Sequence, residues 1–224
     1  MNDKVDFDGY VNSYNSILEN QLSFFDGEEY FAANKINLLK DLADINALKV
    51  LDFGCGIGRS IKFLEQAFPE AKIYGTDISE LSLKKSEEEH SNSYFFRLDE
   101  AHEYKSQFDV IFVAGVFHHI HPTLRPEVVQ LLSEMLTDDG ELFIFEHNPL
   151  NPVTRHMVNT CPFDEDAVLL RPKELMKLLA SVQLKFQGKG YVLFFPSYLK
   201  ALRVLEKYIK WLPLGGQYFV WAKK

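Results

Sequence analysis

The chain has 224 residues and a net charge of −8, with 46% apolar and 14% aromatic residues. That length allows one α/β domain with a sizeable core, and the acidic balance argues against nucleic acid as a partner. Cys55 and Cys161 offer no disulfide framework, and the polar start Met1–Asp6 does not read as a signal peptide. No apolar run reaches the about 18 residues of a membrane span, so a cytoplasmic protein is expected. Residues 1–45 read as an N-terminal helical cap. Tyr10, Tyr14, Ile17 and Leu18 form one apolar stripe, and Phe31, Ile36, Leu38 and Leu39 form another.

From residue 46 the pattern changes. The apolar run Leu48-Lys49-Val50-Leu51 ends in Asp52, and Gly54, Gly56 and Gly58 alternate before Arg59-Ser60-Ile61-Lys62-Phe63-Leu64 resumes at helical spacing. That predicts a buried strand, a tight turn and a helix start. Glycines at every second position allow positive φ and leave no Cβ, so a ligand can lie against the main chain. A dinucleotide fingerprint would need G-x-G-x-x-G, whereas Arg59 stands where its last glycine should fall. A carboxylate at the strand end suits a cationic group better than a pyrophosphate.

Ala71–Thr76 predicts a second strand ending at Asp77, placed to accept from ribose hydroxyls, with Ile78 offering an apolar face to a base. Ser93–Leu98 predicts a third, ending at Asp99. Phe108–Gly115 and Gly140–Glu146 predict a fourth and a fifth. One terminal Asp is commonly a helix cap. Three on consecutive strands behind a glycine turn point to a nucleoside site.

The run Val50-Leu51-Asp52-Phe53-Gly54-Cys55-Gly56-Ile57-Gly58 resembles the first motif of class I S-adenosylmethionine-dependent methyltransferases, and the likeness runs from about Leu39 to the C-terminus. Gly115–Ile120 is similar to the segment after strand four in the small-molecule and ubiquinone-biosynthesis type. A Glu often stands there at the position of His118, and Thr137–Gly140, which matches the family's glycine-containing turn before strand five, lacks its usual proline. The resemblance implies a Rossmann-like α/β fold: a mainly parallel seven-stranded sheet with an antiparallel edge and helices on both faces. It implies S-adenosyl-L-methionine as cofactor, with S-adenosyl-L-homocysteine as product. By it, Gly54, Cys55, Gly56 and Gly58 pass under the methionine part, with Asp52 in the polar network around it. Asp77 takes the ribose, Ile78 and Asp99 the adenine, and the Ala114 carbonyl the amino group. The last two strands are expected at Tyr191–Phe195 and Gln217–Trp221.

Methyl transfer to a hydroxyl benefits from a positioned base, and His is the commonest choice. His118 and His119 follow strand four, and Glu146 and His147 follow strand five, so these four are the candidate catalytic residues, His119 first among them. They contain no i, i+4 ligand pair, so no metal is expected. The segment 148–172 reads as a substrate lid, irregular over Asn148–Thr154, with a helix from Pro172. Arg155 and His156 in that lid, with Tyr10 and Tyr14 in the cap, are candidate substrate contacts. Over 198–212, Leu199, Leu202, Leu205, Ile209 and Leu212 repeat at helical spacing beside Lys200, Arg203, Lys207 and Lys210. That pattern fits either a core-facing helix or peripheral contact with a membrane surface. The expected activity is methylation of a small-molecule or lipid-linked acceptor at oxygen, with nitrogen and carbon acceptors or a non-catalytic cofactor-binding module as alternatives. A nicotinamide oxidoreductase is disfavoured by the glycine spacing.

Overall fold

The computed structural model describes residues 27–44 and 46–224, so the candidate contacts Tyr10 and Tyr14 lie outside the described residues. Helix α1 (Gly27–Leu42) leads into β1 (Lys49–Phe53), α2 (Ile61–Ala67), β2 (Lys72–Asp77), α3 (Glu80–Glu89), β3 (Tyr94–Arg97) and β4 (Phe108–Ala114). Then follow α4 (Arg125–Met135), β5 (Leu136–His147), α5 (Pro152–Thr160), α6 (Pro172–Ser181), β6 (Lys185–Val192), α7 (Glu206–Ile209) and β7 (Gln217–Lys223). The strands form one seven-stranded sheet in the order β3-β2-β1-β4-β5-β7-β6. The five from β3 to β5 are parallel, and β7 runs antiparallel between β5 and β6. The predicted Rossmann-like architecture is the one observed.

The central strands are apolar on both faces because helices cover both. Side chains alternate along β1 and β4. Leu51, Phe53, Ile111 and Val113 pack toward Leu132, Leu175 and Leu179 of α4 and α6. Val50, Val110 and Phe112 pack toward Ile36 and Leu39 of α1 and Ile61 and Leu64 of α2. Helix α1 thus contributes to the core on the second face. Strand order reverses between β1 and β4, and a crevice opens there beyond the carboxyl ends of the strands, where ligands bind in open α/β sheets.

Four segments differ from the sequence expectation. The first is Thr137–Gly140, predicted as a turn before strand five. These residues form an irregular bulge inside β5, where the pairing steps from Phe108↔Leu136 to Val110↔Glu141. A side chain at Gly140 would come within 2.9 Å of the Phe108 carbonyl oxygen, so the close approach requires glycine. The second is β6, which ends at Val192 because Leu193 takes a left-handed φ of 62°. Its Lys185–Lys189 half is an edge largely exposed on both faces, without the apolar signal of an inner strand.

The third is Asn148–Thr154, expected as irregular. Helix α5 begins inside it: Pro152 fills the first turn and the Asn151 side chain accepts from Val153 N and Thr154 N. The same residues that break a helix interior start one here. The fourth is 198–212, which is no continuous α-helix. A 3₁₀ run over Ser197–Leu205, interrupted at Leu199, precedes the short α7. None of the side chains of Ser197–Leu205 is buried, which excludes a core-facing helix. The anchor is Glu206, whose buried carboxylate accepts from Phe194 N and Phe195 N.

Asn151→Ala is expected to lower the unfolding free energy by about 1 kcal/mol, measured by urea denaturation. An unchanged midpoint and slope would show that α5 does not depend on its cap.

Candidate active site

The turn from β1 to α2 holds three glycines in left-handed conformation, with φ of 78° at Gly54, 53° at Gly56 and 80° at Gly58. A side chain at Gly54 would stand 2.4 Å from Val116 Cγ2, so that glycine keeps the turn against the segment after β4. Gly56 differs: the space where its Cβ would stand is open within 4 Å, and it faces the crevice. A bare stretch of main chain is therefore presented to a ligand. The loop is fixed from behind, because Asp77 Oδ2 accepts from Gly56 N at 2.8 Å and Asp77 Oδ1 from Ser79 N at 2.9 Å. A carboxylate has about four acceptor sites, enough to hold the loop and to accept from ribose hydroxyls as well.

The crevice is a cavity of about 240 Å³. Gly54, Cys55, Gly56, Asp52 and Ala114 line it, as do His118, His119 and His147. Gly58, Asp77, Ile78 and Asp99 lie outside that lining. Ile78 is a large apolar side chain left exposed beside the glycine loop. Asp99 is also exposed and bonds Arg97 Nε at 3.1 Å, so it is directed at the surface rather than into the cavity.

The lid contributes a different face from the expected one. Arg155 and His156 are exposed on the outer side of α5. Thr154, Met157, Val158 and Cys161, at positions i, i+3, i+4 and i+7, line the cavity instead. The helical period puts those positions inward and the two charged-type residues outward. Sequence reasoning also missed Lys35 of α1, and Phe163 and Asp164 of the 3₁₀ turn Pro162–Asp164, all of which line the cavity. The only signal for Asp164 was its place in the lid. For Lys35 it was a cation set between the apolar residues Phe31 and Ile36 of its helix.

Beyond the glycines lies a charged cluster. Glu146 is fully buried; its Oε1 accepts from Val116 N at 3.0 Å and Phe117 N at 2.7 Å. Its Oε2 stands 2.7 Å from His118 Nδ1. Expected to face the crevice, Glu146 instead uses its carboxylate behind it, which makes it a positioning residue. On the other side, Asp164 Oδ1 lies 3.3 Å from His118 Nε2 and 3.4 Å from His119 Nε2. The lid is pinned in this place: Val168 N donates to the His118 carbonyl at 2.8 Å, and buried Arg125 donates to the carbonyls of Phe117, Ile120 and Val168.

Burial would lower the His118 pKa, but Glu146 and Asp164 outweigh it and push the imidazole up to about 9. Burial also opposes ionisation of both carboxyls, yet His118 holds each below its ordinary value. His119 and His147 are driven down to about 4, by burial first and by the His118 charge second. The cluster at neutral pH is thus one imidazolium between two carboxylates, flanked by two neutral imidazoles. At the other end, burial and then Asp77 push buried Asp52 up to about 7, against the pull of Lys35. Burial brings Lys35 down to about 8, resisted by Asp52 and Glu146.

A parallel sheet with this strand order, a bare glycine turn at its switch point and carboxylates on the first two strands agree with the resemblance to class I S-adenosylmethionine-dependent methyltransferases. Residues 51–142 match the family model described as a methyltransferase domain. Thiocyanate methyltransferase 1 of Brassica oleracea is 33% identical over 129 residues, covering 53% of this chain and 54% of that protein. Trans-aconitate 2-methyltransferase of Afipia carboxidovorans is 28% identical over 109 residues, covering 48% and 42%. The chain spans less than two thirds of the length of the curated relatives it matches. A SAM-dependent methyltransferase structure from Archaeoglobus fulgidus superposes with a TM-score of 0.72 at 17% identity, covering 94% of this chain and 99% of that one. The open main chain at Gly56 with Asp77 behind it fits S-adenosylmethionine as the ligand.

A cofactor ammonium is best held by ionised Asp52, whereas the empty site prefers the proton below about pH 7. Binding must then release that proton, so affinity falls as the pH drops through this range. Calorimetric titration is expected to show S-adenosylmethionine binding roughly tenfold or more weaker at pH 5.5 than at pH 7.5. Asp52→Asn should be weaker at both pH values and nearly flat between them. A pH-independent wild type would separate Asp52 from the cofactor.

Proposed function

We propose that the chain methylates a small molecule at a hydroxyl oxygen, with an apolar body on the acceptor. The carrying observation is that two neutral imidazoles, His119 and His147, share one cavity with the glycine turn. S-adenosylmethionine, when bound, supplies an electrophilic methyl group on a sulfonium. The protein's part is to hold an oxygen in line with it at about 3–3.5 Å and to take the hydroxyl proton. His119 is the favoured base: its ring follows Gly115, and its Nε2 lies near Asp164, which can stabilise the imidazolium that forms. Phe31, Met157, Val158, Phe163 and Leu193 give the cavity apolar walls that exclude water. The names of two relatives, with thiocyanate and trans-aconitate as acceptors, support a small metabolite.

His119→Ala is expected to cut turnover by roughly 100-fold or more while leaving cofactor affinity nearly unchanged. Unaltered turnover with a hydroxylated acceptor would remove His119 from the chemistry. A nitrogen or carbon acceptor turned over faster than any hydroxyl compound would reject oxygen as the target.

A lipid-linked acceptor has separate support. Tyr198, Val204, Tyr208, Trp211 and Leu214 are exposed beside the exposed lysines Lys200 and Lys207. Amphipathic aromatic and cationic side chains of this kind favour an anionic interface. No helix among the described residues is long and apolar enough to cross a membrane. Flotation with anionic vesicles should carry the protein upward, and Trp211→Ala with Lys207→Ala should reduce the floated fraction. Protein that stays with the soluble fraction would reject this surface role.

A further inference from the structure

Three imidazoles and two carboxylates meet at one end of the cavity, more than a single proton transfer requires. One ring nitrogen each from His118 and His147 and one carboxylate oxygen of Asp164 lie within 4.8 Å of one another. Asp164 Oδ1 is 3.3 Å from His118 Nε2 and 3.4 Å from His119 Nε2. Charge-assisted N–H···O bonds normally shorten to about 2.7–2.9 Å. Two ligands on one tetrahedral ion, each at about 2.0–2.1 Å, stand about 3.3–3.4 Å apart. The 3.3 Å between His118 and Asp164 is that of a coordination edge.

The surroundings agree. Metal-bound imidazoles characteristically present their other nitrogen to a carboxylate, which fixes tautomer and ring direction. His118 does this with Glu146 at 2.7 Å, and Glu146 is itself locked by Val116 N and Phe117 N. His118 Nε2 is left aimed at Asp164. The donors come from three separate elements: the turn after β4, the end of β5 and the lid. Such a set is invisible to ligand-spacing rules, which look for pairs on one helix.

We propose that His118, His147 and Asp164 bind one zinc-type divalent ion, with an open fourth position toward the cavity. Two imidazoles and a carboxylate suit such an ion, and three protein ligands with one free place is the arrangement of a reactive zinc site rather than a structural one. Its role rests on the proposed methylation of a hydroxyl. An acceptor hydroxyl in the open position would lose its proton to His119, whose nitrogen lone pair forms the new N–H bond, while the oxygen keeps the O–H electron pair on the ion.

The test is metal binding by the full chain, read without turnover. Protein stripped with a chelator is titrated with Zn²⁺ by calorimetry and with Co²⁺ by its visible absorption. One equivalent of each ion is expected, with His147→Ala and Asp164→Ala weakening binding by 100-fold or more. Glu146→Gln, which touches no ion, is expected to weaken it roughly 10–100-fold. Circular dichroism and S-adenosylmethionine binding in Asp164→Ala report whether the variant is folded. Lack of a stoichiometric site in the wild type at micromolar ion would overturn the proposal, as would equal binding by folded Asp164→Ala. Methyl transfer by chelator-treated protein at the full rate would reject the ion's role in the reaction while leaving the methylation reading intact.

Discussion

The buried carboxylate of Glu146 holds the reactive end of this molecule together. It sits near the end of β5, with no exposed surface, and receives two main-chain N–H groups and one imidazole from the turn after β4. A buried charge with a missing partner costs several kcal/mol, so all three donors are held near their places together. That fixes His118, and His118 in turn fixes the lid through Val168 and the ring approach to Asp164. The geometry of the whole cluster therefore descends from one side chain that cannot itself reach a substrate.

The segment expected as a lid behaves as part of the frame. Asn148 donates to the carbonyls of Pro213 and Gly215, Thr154 to that of Gly216, and the Tyr218 hydroxyl to that of Leu170. These bonds run from both ends of 148–172 to β7 and the loop before it. Opening the segment would expose several buried polar groups at once.

How much of this was legible in the sequence depended on whether the signal was local. The glycine turn, the parallel strands and the acidic residues of the first two strands each occupy a short stretch with a fixed period, and they are where the pattern put them, whereas Asp99 falls just past β3 and turns to the surface. Asp164 and Lys35 carry no local mark, because their importance comes from the elements that bring them to the cavity. Arg155 and His156 were chosen by chemistry, but the phase of α5 decided the matter. That phase hangs on Asn151 as a cap, whose asparagine–proline pair also reads as a loop. The two strand-edge departures have similar causes. A bulge at Gly140 and a solvent-washed half of β6 lack the alternation that marks an inner strand.

Asp77 bonds the glycine loop before any nucleoside arrives, since one of its oxygens already receives Gly56 N. The same group that would grip the sugar is also the strut that shapes the floor beneath it. Ligand capture at this spot then calls for little ordering of the chain, and the entropic toll of association is correspondingly small. Losing that aspartate would remove a handhold and slacken the floor at once, so its two contributions cannot be separated by deleting it.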